Sequence, residues 1–73
     1  MHRNPVSSTT VASAGYDPEA LILEIEFASG LVYRYIDVPN HVFNAFLAAP
    51  SHGTYFNRHI RGQYSFARVG SPD

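Results

Sequence analysis

The sequence is short, nearly neutral and free of cysteine: its 73 residues include five arginines, no lysine and six acidic residues, and the formal net charge is −1. A chain of this length forms one domain that buries only about 60% of its unfolded surface, and without cysteine it has neither disulfides nor thiolate metal sites. No stretch approaches the roughly 20 apolar residues of a membrane span, and the start lacks the apolar region of a secretory signal. We therefore expect a cytoplasmic protein with a single domain at residues 6–69 and flexible tails at 1–5 and 70–73.

Charge is distributed unevenly along the chain. Residues 15–37 contain five acidic residues and one arginine, a net charge of −4, whereas residues 38–69 contain three arginines and no acid, a net charge of +3. The second half is therefore the candidate for an anion-binding surface. Arginine suits bidentate contact with phosphate and stacking on bases, although a coding bias towards arginine would give the same count without functional meaning.

The first segments predict a strand and a turn. Residues 6–14 are rich in β-branched and small side chains, which favours an edge strand. Residues 15–20 follow as a turn, because the pair Asp17-Pro18 is typical of turn initiation and proline restricts the residue before it.

A central hairpin at residues 21–38 is the clearest prediction. Residues 21–27 and 31–36 both alternate in a strand-like period, with Leu21 at the start of the apolar face of the first strand. Ala28-Ser29-Gly30 connects them as a three-residue loop, in which Gly30 adopts positive φ without a Cβ clash.

The length of this loop determines which residues face each other, and a slip of one residue would turn every side chain to the opposite face. With a three-residue loop, the apolar residues of the two strands share one side of the sheet. We expect Tyr33 and Tyr35 to be core residues on that side, the alternative being an exposed aromatic platform that stacks on bases. Glu24 and Arg34 are expected to form a solvated cross-strand ion pair. The predicted pairs are Leu23 with Tyr35, Glu24 with Arg34, Ile25 with Tyr33 and Phe27 with Leu31.

Two helices are expected after the hairpin. Residues 39–49 carry one apolar stripe and predict the main helix, which covers one face of the sheet. Residues 51–61 predict a second short helix, with Ser51 as its N-cap and Gly62 closing it, and a short terminal strand follows at residues 64–69. The fold class is therefore α+β, a small antiparallel sheet packed by one main and one short helix. The stripe of the main helix consists of Val42, Phe43, Phe46 and Leu47.

No catalytic or metal-binding pattern is present in the sequence. The spacings of His41, His52 and His59 match neither a helical zinc pair nor a zinc finger, and no nucleophile elbow occurs. So short a chain also has little room for a pocket of a few hundred Å³. We expect a protein that is not an enzyme and that uses no metal or cofactor.

A small basic and aromatic surface is the candidate binding site. Arg58, Arg61 and Arg68 would contact phosphates, and Tyr55 or Tyr64 would stack on bases. The alternative is that the basic residues in the last turn of the second helix only complement its dipole.

The order of several motifs resembles the KTSC family, a domain at the C-terminus of some lysyl-tRNA synthetases that also occurs as free-standing bacterial proteins. The motifs are Val6-Ser7-Ser8, Gly15-Tyr16, "LEIEFASGLVYRYIDVP" and "APSHGTYFNRHIRGQY", and the resemblance covers about residues 6–69. The Y-x-Y hallmark of the family corresponds to Tyr33 and Tyr35.

The function of the family is not established, and its attachment to a synthetase implies RNA binding. We therefore expect a non-catalytic binding module for tRNA or another structured RNA. The alternative is a protein-interaction or self-associating module that uses an exposed strand edge, either residues 6–14 or the strand of Tyr64 and Phe66.

Overall fold

The computed structural model describes residues 1–70, which form an antiparallel sheet of five strands and two helices. The strands lie in the sheet in the order β1-β2-β3-β4-β5, so the predicted α+β class is confirmed. Neither helix in residues 1–70 has the length and the hydropathy that a membrane-spanning helix requires. The elements are β1 (Asn4–Pro5), β2 (Val11–Asp17), β3 (Ile22–Phe27), β4 (Val32–Tyr35), α1 (Asn40–Ala48), α2 (His52–His59) and β5 (Phe66–Gly70).

The central hairpin forms in the predicted register. β3 pairs with β4 so that Leu23 faces Tyr35, and Ile25 faces Tyr33. The three-residue loop is also confirmed, since Gly30 adopts a φ of 96° and its N–H donates to the carbonyl of Phe27 at 2.9 Å. Local alternation and turn chemistry are therefore sufficient to specify this part of the sheet.

The strand before the hairpin differs from its prediction in position and in role. The predicted edge strand at 6–14 is instead β2, which begins at Val11 and lies between β1 and β3. It continues through Tyr16 because the pairing of Tyr16 with Leu23 keeps the aromatic ring on the apolar face. The turn comes only after Asp17, whose Oδ1 accepts hydrogen bonds from the backbone N–H groups of residues 19 and 20 at 3.0 and 3.2 Å.

The chain start also belongs to the sheet, contrary to the expected flexible tail at residues 1–5. Asn4 and Pro5 pair with β2, and the chain lies so close to Gly15 that a Cβ atom there would collide with the carbonyl oxygen of His2. At the other end, Gly70 is the last residue of β5. The rest of the expected second tail, 71–73, lies outside the described residues.

The core lies between one face of the sheet and the two helices. Phe46 from α1 and Phe56 from α2 are both buried. The second helix covers the sheet as well as the first, because the ring of Phe56 packs edge-on against that of Tyr35, with centroids 5.6 Å apart. Leu21 is also displaced from the predicted apolar face: it lies in the turn before β3 with a φ of 57° and is 39% exposed. The buried apolar residues are Val11, Ala14, Leu23, Ile25, Tyr35, Val38, Val42, Phe46, Phe56 and Ile60.

The opposite face of the sheet carries a buried carboxylate. Arg34 Nε donates to Glu24 Oε1 at 2.8 Å, which confirms the predicted pair. Arg3 adds a second contact, with Nη1 3.3 Å from Glu24 Oε2, and the Glu24 side chain is only 7% exposed. The carboxylate of the pair is therefore not solvated as predicted, because the N-terminal segment brings a second guanidinium to it, whereas the Arg34 side chain stays 44% exposed.

Candidate nucleic-acid interface

An aromatic cleft opens between the central hairpin, the C-terminal end of α2 and β5, on the side of the sheet that carries the helices. Its volume is about 520 Å³, within the range of about 300 to 1,000 Å³ typical of small-ligand pockets. The expectation that so short a chain has little room for a pocket is therefore wrong. The apolar lining consists of Phe27, Leu31, Tyr33, Tyr35, Phe56 and Phe66, and the polar lining includes Thr9, Thr10, Ser29 and Arg61.

Two stacked rings dominate one wall of this aromatic cleft. The rings of Tyr33 and Phe66 lie almost parallel, with centroids 4.8 Å apart and an interplanar angle of 14°. The ring of Phe27 also contacts that of Tyr33 edge-on, with centroids 5.2 Å apart. Phe66 is 55% exposed, so the stack is accessible from solvent although it rests on the core.

The two hallmark tyrosines have different environments. Tyr35 is 2% exposed and confirms the core prediction. Tyr33 is half-buried and packs against the core while its ring also lines the aromatic cleft. Tyr35 is therefore a core residue, whereas Tyr33 both packs against the core and has a ring that is accessible from the aromatic cleft.

Burial raises the pKa of Tyr35 to about 12, with Tyr33 acting in the same direction and Arg61 partly opposing both. In the unfolded chain a tyrosine has a pKa of about 10. The folded state therefore keeps the proton to higher pH. The resulting stabilisation is complete below about pH 10 and is lost as the pH rises through about 12.

We therefore expect the free energy of unfolding to fall above about pH 10, by at most about 1.4 kcal/mol per pH unit for this group. Tyr16 contributes in the same direction, because desolvation and Asp17 raise its pKa. Urea unfolding near pH 8 and near pH 11 should show a smaller alkaline loss for Tyr35→Phe than for the parent chain. Equal losses in the two proteins would contradict this assignment.

The three predicted phosphate-binding arginines do not form one cluster. Arg61 lines the aromatic cleft, and its Nη1 donates to Asn57 Oδ1 at 3.3 Å. Arg68 pairs with Tyr33 in the register of β4 and β5, so its side chain lies on the same sheet face as the cleft. Arg58 borders a separate shallow depression of about 320 Å³ on α2.

None of these three arginines forms a salt bridge within residues 1–70; the ion pairs there join Arg3 and Arg34 to Glu24. All three are exposed. No carboxylate among the described residues therefore competes with an anionic ligand for these guanidinium groups.

The two tyrosines predicted to stack on bases lie outside the aromatic cleft. Tyr55 is half-buried and packs against Phe46 and His59, with ring centroids 6.3 and 4.5 Å apart. Tyr64 is half-buried against the core. The accessible rings beside Arg61 are instead those of Tyr33 and Phe66. The sequence offered base stacking by Tyr33 only as the alternative to a core position, and it did not assign Phe66 to ligand binding.

The histidines have separate positions. His52 Nδ1 lies 2.9 Å from the carbonyl oxygen of Phe46, His59 packs on Tyr55, and His41 is exposed at the start of α1. In the described part of the chain, no three His, Asp or Glu side chains are grouped so that they could hold a metal ion.

Comparison with known proteins adds three findings. The family model of the KTSC domain matches residues 7–64. An uncharacterized protein of Stutzerimonas stutzeri is 47% identical over 70 residues, which cover 94% of this chain and 99% of that protein. The crystal structure of a KTSC domain protein from Yersinia pestis matches with a TM-score of 0.92 at 38% identity, covering 94% of this chain and 97% of that one.

Lysine–tRNA ligases also contain a similar segment. The ligase of Nostoc sp. is 39% identical over 54 residues, which cover 74% of this chain but 10% of the ligase. A second ligase, from Nostoc punctiforme, is 36% identical over 61 residues, or 84% of this chain and 11% of the ligase. The chain thus spans about a tenth of these enzymes.

Proposed function

We propose that this chain, which belongs to the KTSC domain family, is a non-catalytic module that binds RNA, with tRNA as the leading candidate. The observation that carries the proposal is the set of exposed arginines, Arg58, Arg61 and Arg68, which form no salt bridge within residues 1–70. The similar segment in lysine–tRNA ligases supports the choice of tRNA. The binding surface would lie within residues 38–69, which contain these three arginines and no acidic residue.

The charge count determines how strong such binding is. Three arginines neutralise about three phosphates, so affinity is modest and falls steeply with salt, with a slope of about −2 in log K against log salt on a single strand. Arginine is suited to this role because its planar guanidinium donates two parallel hydrogen bonds to one phosphate.

An RNA titration tests the proposal. We expect labelled protein to bind a short single-stranded RNA at low salt, and Arg58→Gln to weaken binding and reduce the salt slope by about 0.7. Arg34→Gln is the matched control, because Arg34 is already engaged by Glu24 and its loss should leave the salt slope unchanged. Affinity that is indifferent to ionic strength, or equal effects of the two substitutions, would contradict RNA binding through these arginines.

Self-association through a strand edge is the competing function. β5 is the last strand of the sheet as described, and Phe66 and Val69 on it are exposed. The other edge considered from the sequence, residues 6–14, is not one, since β1 covers β2. Sedimentation at a mass above that of the monomer, without salt-sensitive RNA binding, would favour this function over the first.

A further inference from the structure

We propose that the aromatic cleft is a subsite for one unpaired nucleobase, which stacks on the Tyr33–Phe66 pair while Arg61 holds the adjoining phosphate. This inference rests on the proposed RNA binding and gives it a defined recognition element. It differs from a purely electrostatic contact, because it requires a base that is free to leave its own stack.

The chemistry of the lining fits a base. An aromatic ring offers every base a π-face, and such stacking is largely independent of sequence. Phe66 and Tyr33 present a nearly parallel, accessible pair of rings. Thr9, Thr10 and Ser29 belong to the same lining, and the side chain of each carries a hydroxyl group, which can donate or accept a hydrogen bond.

The charge of the lining argues for a ligand that carries an anion beside its ring. Arg61 is exposed and lines the aromatic cleft, and Arg68 lies on the same sheet face opposite Tyr33. None of the residues between 1 and 70 that line it is acidic. A wholly apolar ligand would cover the guanidinium of Arg61 without giving it a partner, which is unfavourable. A nucleotide supplies both the ring and the phosphate.

The position of the aromatic cleft favours unpaired over paired bases. Its stacked wall lies between β5, the hairpin and the end of α2, and presents a ring face to solvent. A base inside a duplex is stacked on both faces and paired at its edge, so it reaches such a wall only after leaving the helix, whereas a base in a loop or overhang enters directly.

The test compares two RNAs of equal length, a single-stranded oligoadenylate that carries one 2-aminopurine and a blunt duplex of mixed sequence. We expect the protein to change the 2-aminopurine fluorescence and to bind the oligoadenylate more tightly than the duplex. Phe66→Leu should weaken oligoadenylate binding about tenfold and leave duplex binding unchanged. Phe43→Leu is the matched control, because Phe43 stacks on Tyr16 at 5.1 Å and does not line the aromatic cleft.

A second pair of variants separates this inference from the proposed function. Arg61→Gln should weaken the oligoadenylate more than the duplex, whereas Arg58→Gln should weaken both equally. Circular dichroism establishes that each variant is folded before it is titrated. If Arg58→Gln weakens both RNAs while Phe66→Leu affects neither, the base subsite is overturned and RNA binding stands. If neither RNA binds in a salt-sensitive manner, both proposals are overturned.

Discussion

Replacing Phe56 by alanine should lower the free energy of unfolding by about 3 to 5 kcal/mol. Phe56 is almost completely buried, and its ring meets Phe27 and Tyr35 edge-on, with centroids 5.3 and 5.6 Å away. Truncation removes the apolar area of this ring and also leaves a cavity between α2 and the sheet. The neighbouring rings can collapse into that cavity only in part, because they are fixed by the hairpin register.

Such a loss would remove much of the stability of a domain this small, since folded domains are stable by about 5 to 15 kcal/mol and short chains lie towards the lower end. Urea unfolding followed by far-ultraviolet circular dichroism measures it. Leu47→Ala is the control on the other helix, because Leu47 is 39% exposed and its truncation should lower the free energy of unfolding by about 1 kcal/mol. Similar losses for the two variants would contradict the placement of Phe56 at the centre of the core.

Glu24→Gln should cost about 1 to 3 kcal/mol of stability. The substitution keeps the shape of the side chain but removes the charge that faces both Arg3 and Arg34. The loss stays below that of a fully buried ion pair, because the Arg34 side chain is 44% exposed and regains water when the carboxylate is gone.

Urea unfolding of Glu24→Gln and of Glu19→Gln provides the comparison. Glu19 lies in the exposed turn after β2, so its substitution should change the free energy of unfolding by less than about 0.5 kcal/mol. Raised salt should narrow the difference only slightly, since Glu24 is shielded from solvent. Indistinguishable unfolding curves for the two variants would show that the carboxylate between the arginines contributes nothing.

The central hairpin was predictable because its determinants are local. Alternation of apolar residues and the three-residue loop ending in Gly30 specify the pairing of Ile25 with Tyr33 without any information from the rest of the chain. The cap of α2 was predictable for the same reason, as Ser51 Oγ accepts a hydrogen bond from the N–H of Thr54.

The extent of β2 was not predictable in this way. Gly15 and Tyr16 read as part of a turn, but their pairing with β3 keeps them extended, and that pairing is a tertiary effect that overrides local preference. The burial of Glu24 was missed for the same reason, because it depends on a contact with a distant part of the chain. Nothing in the spacing of the sequence indicates that Arg3, twenty-one positions earlier, lies above the hairpin.

The candidate site was predicted only in part. The charge asymmetry identified Arg61 and Arg68, which lie on the cleft side of the sheet. The ring of Phe66 was missed, and Tyr33 was considered for stacking only as an alternative, because the Tyr33–Phe66 stack depends on β5 lying beside β4. These two strands are separated in the chain by two helices. The strand pattern places Phe66 on the same face as Tyr64 and Arg68, but it does not show which ring of a neighbouring strand Phe66 contacts.

The close contact between the backbone of His2 and Gly15 affects where this domain can be joined to another polypeptide. The family match starts at residue 7, but a fusion that begins there would lack Arg3. Glu24 would then lose one of its two arginine partners, and Gly15 would lose the contact with the backbone of His2. A graft should therefore carry the segment from Met1 onward, because its opening residues complete the outer surface of the sheet.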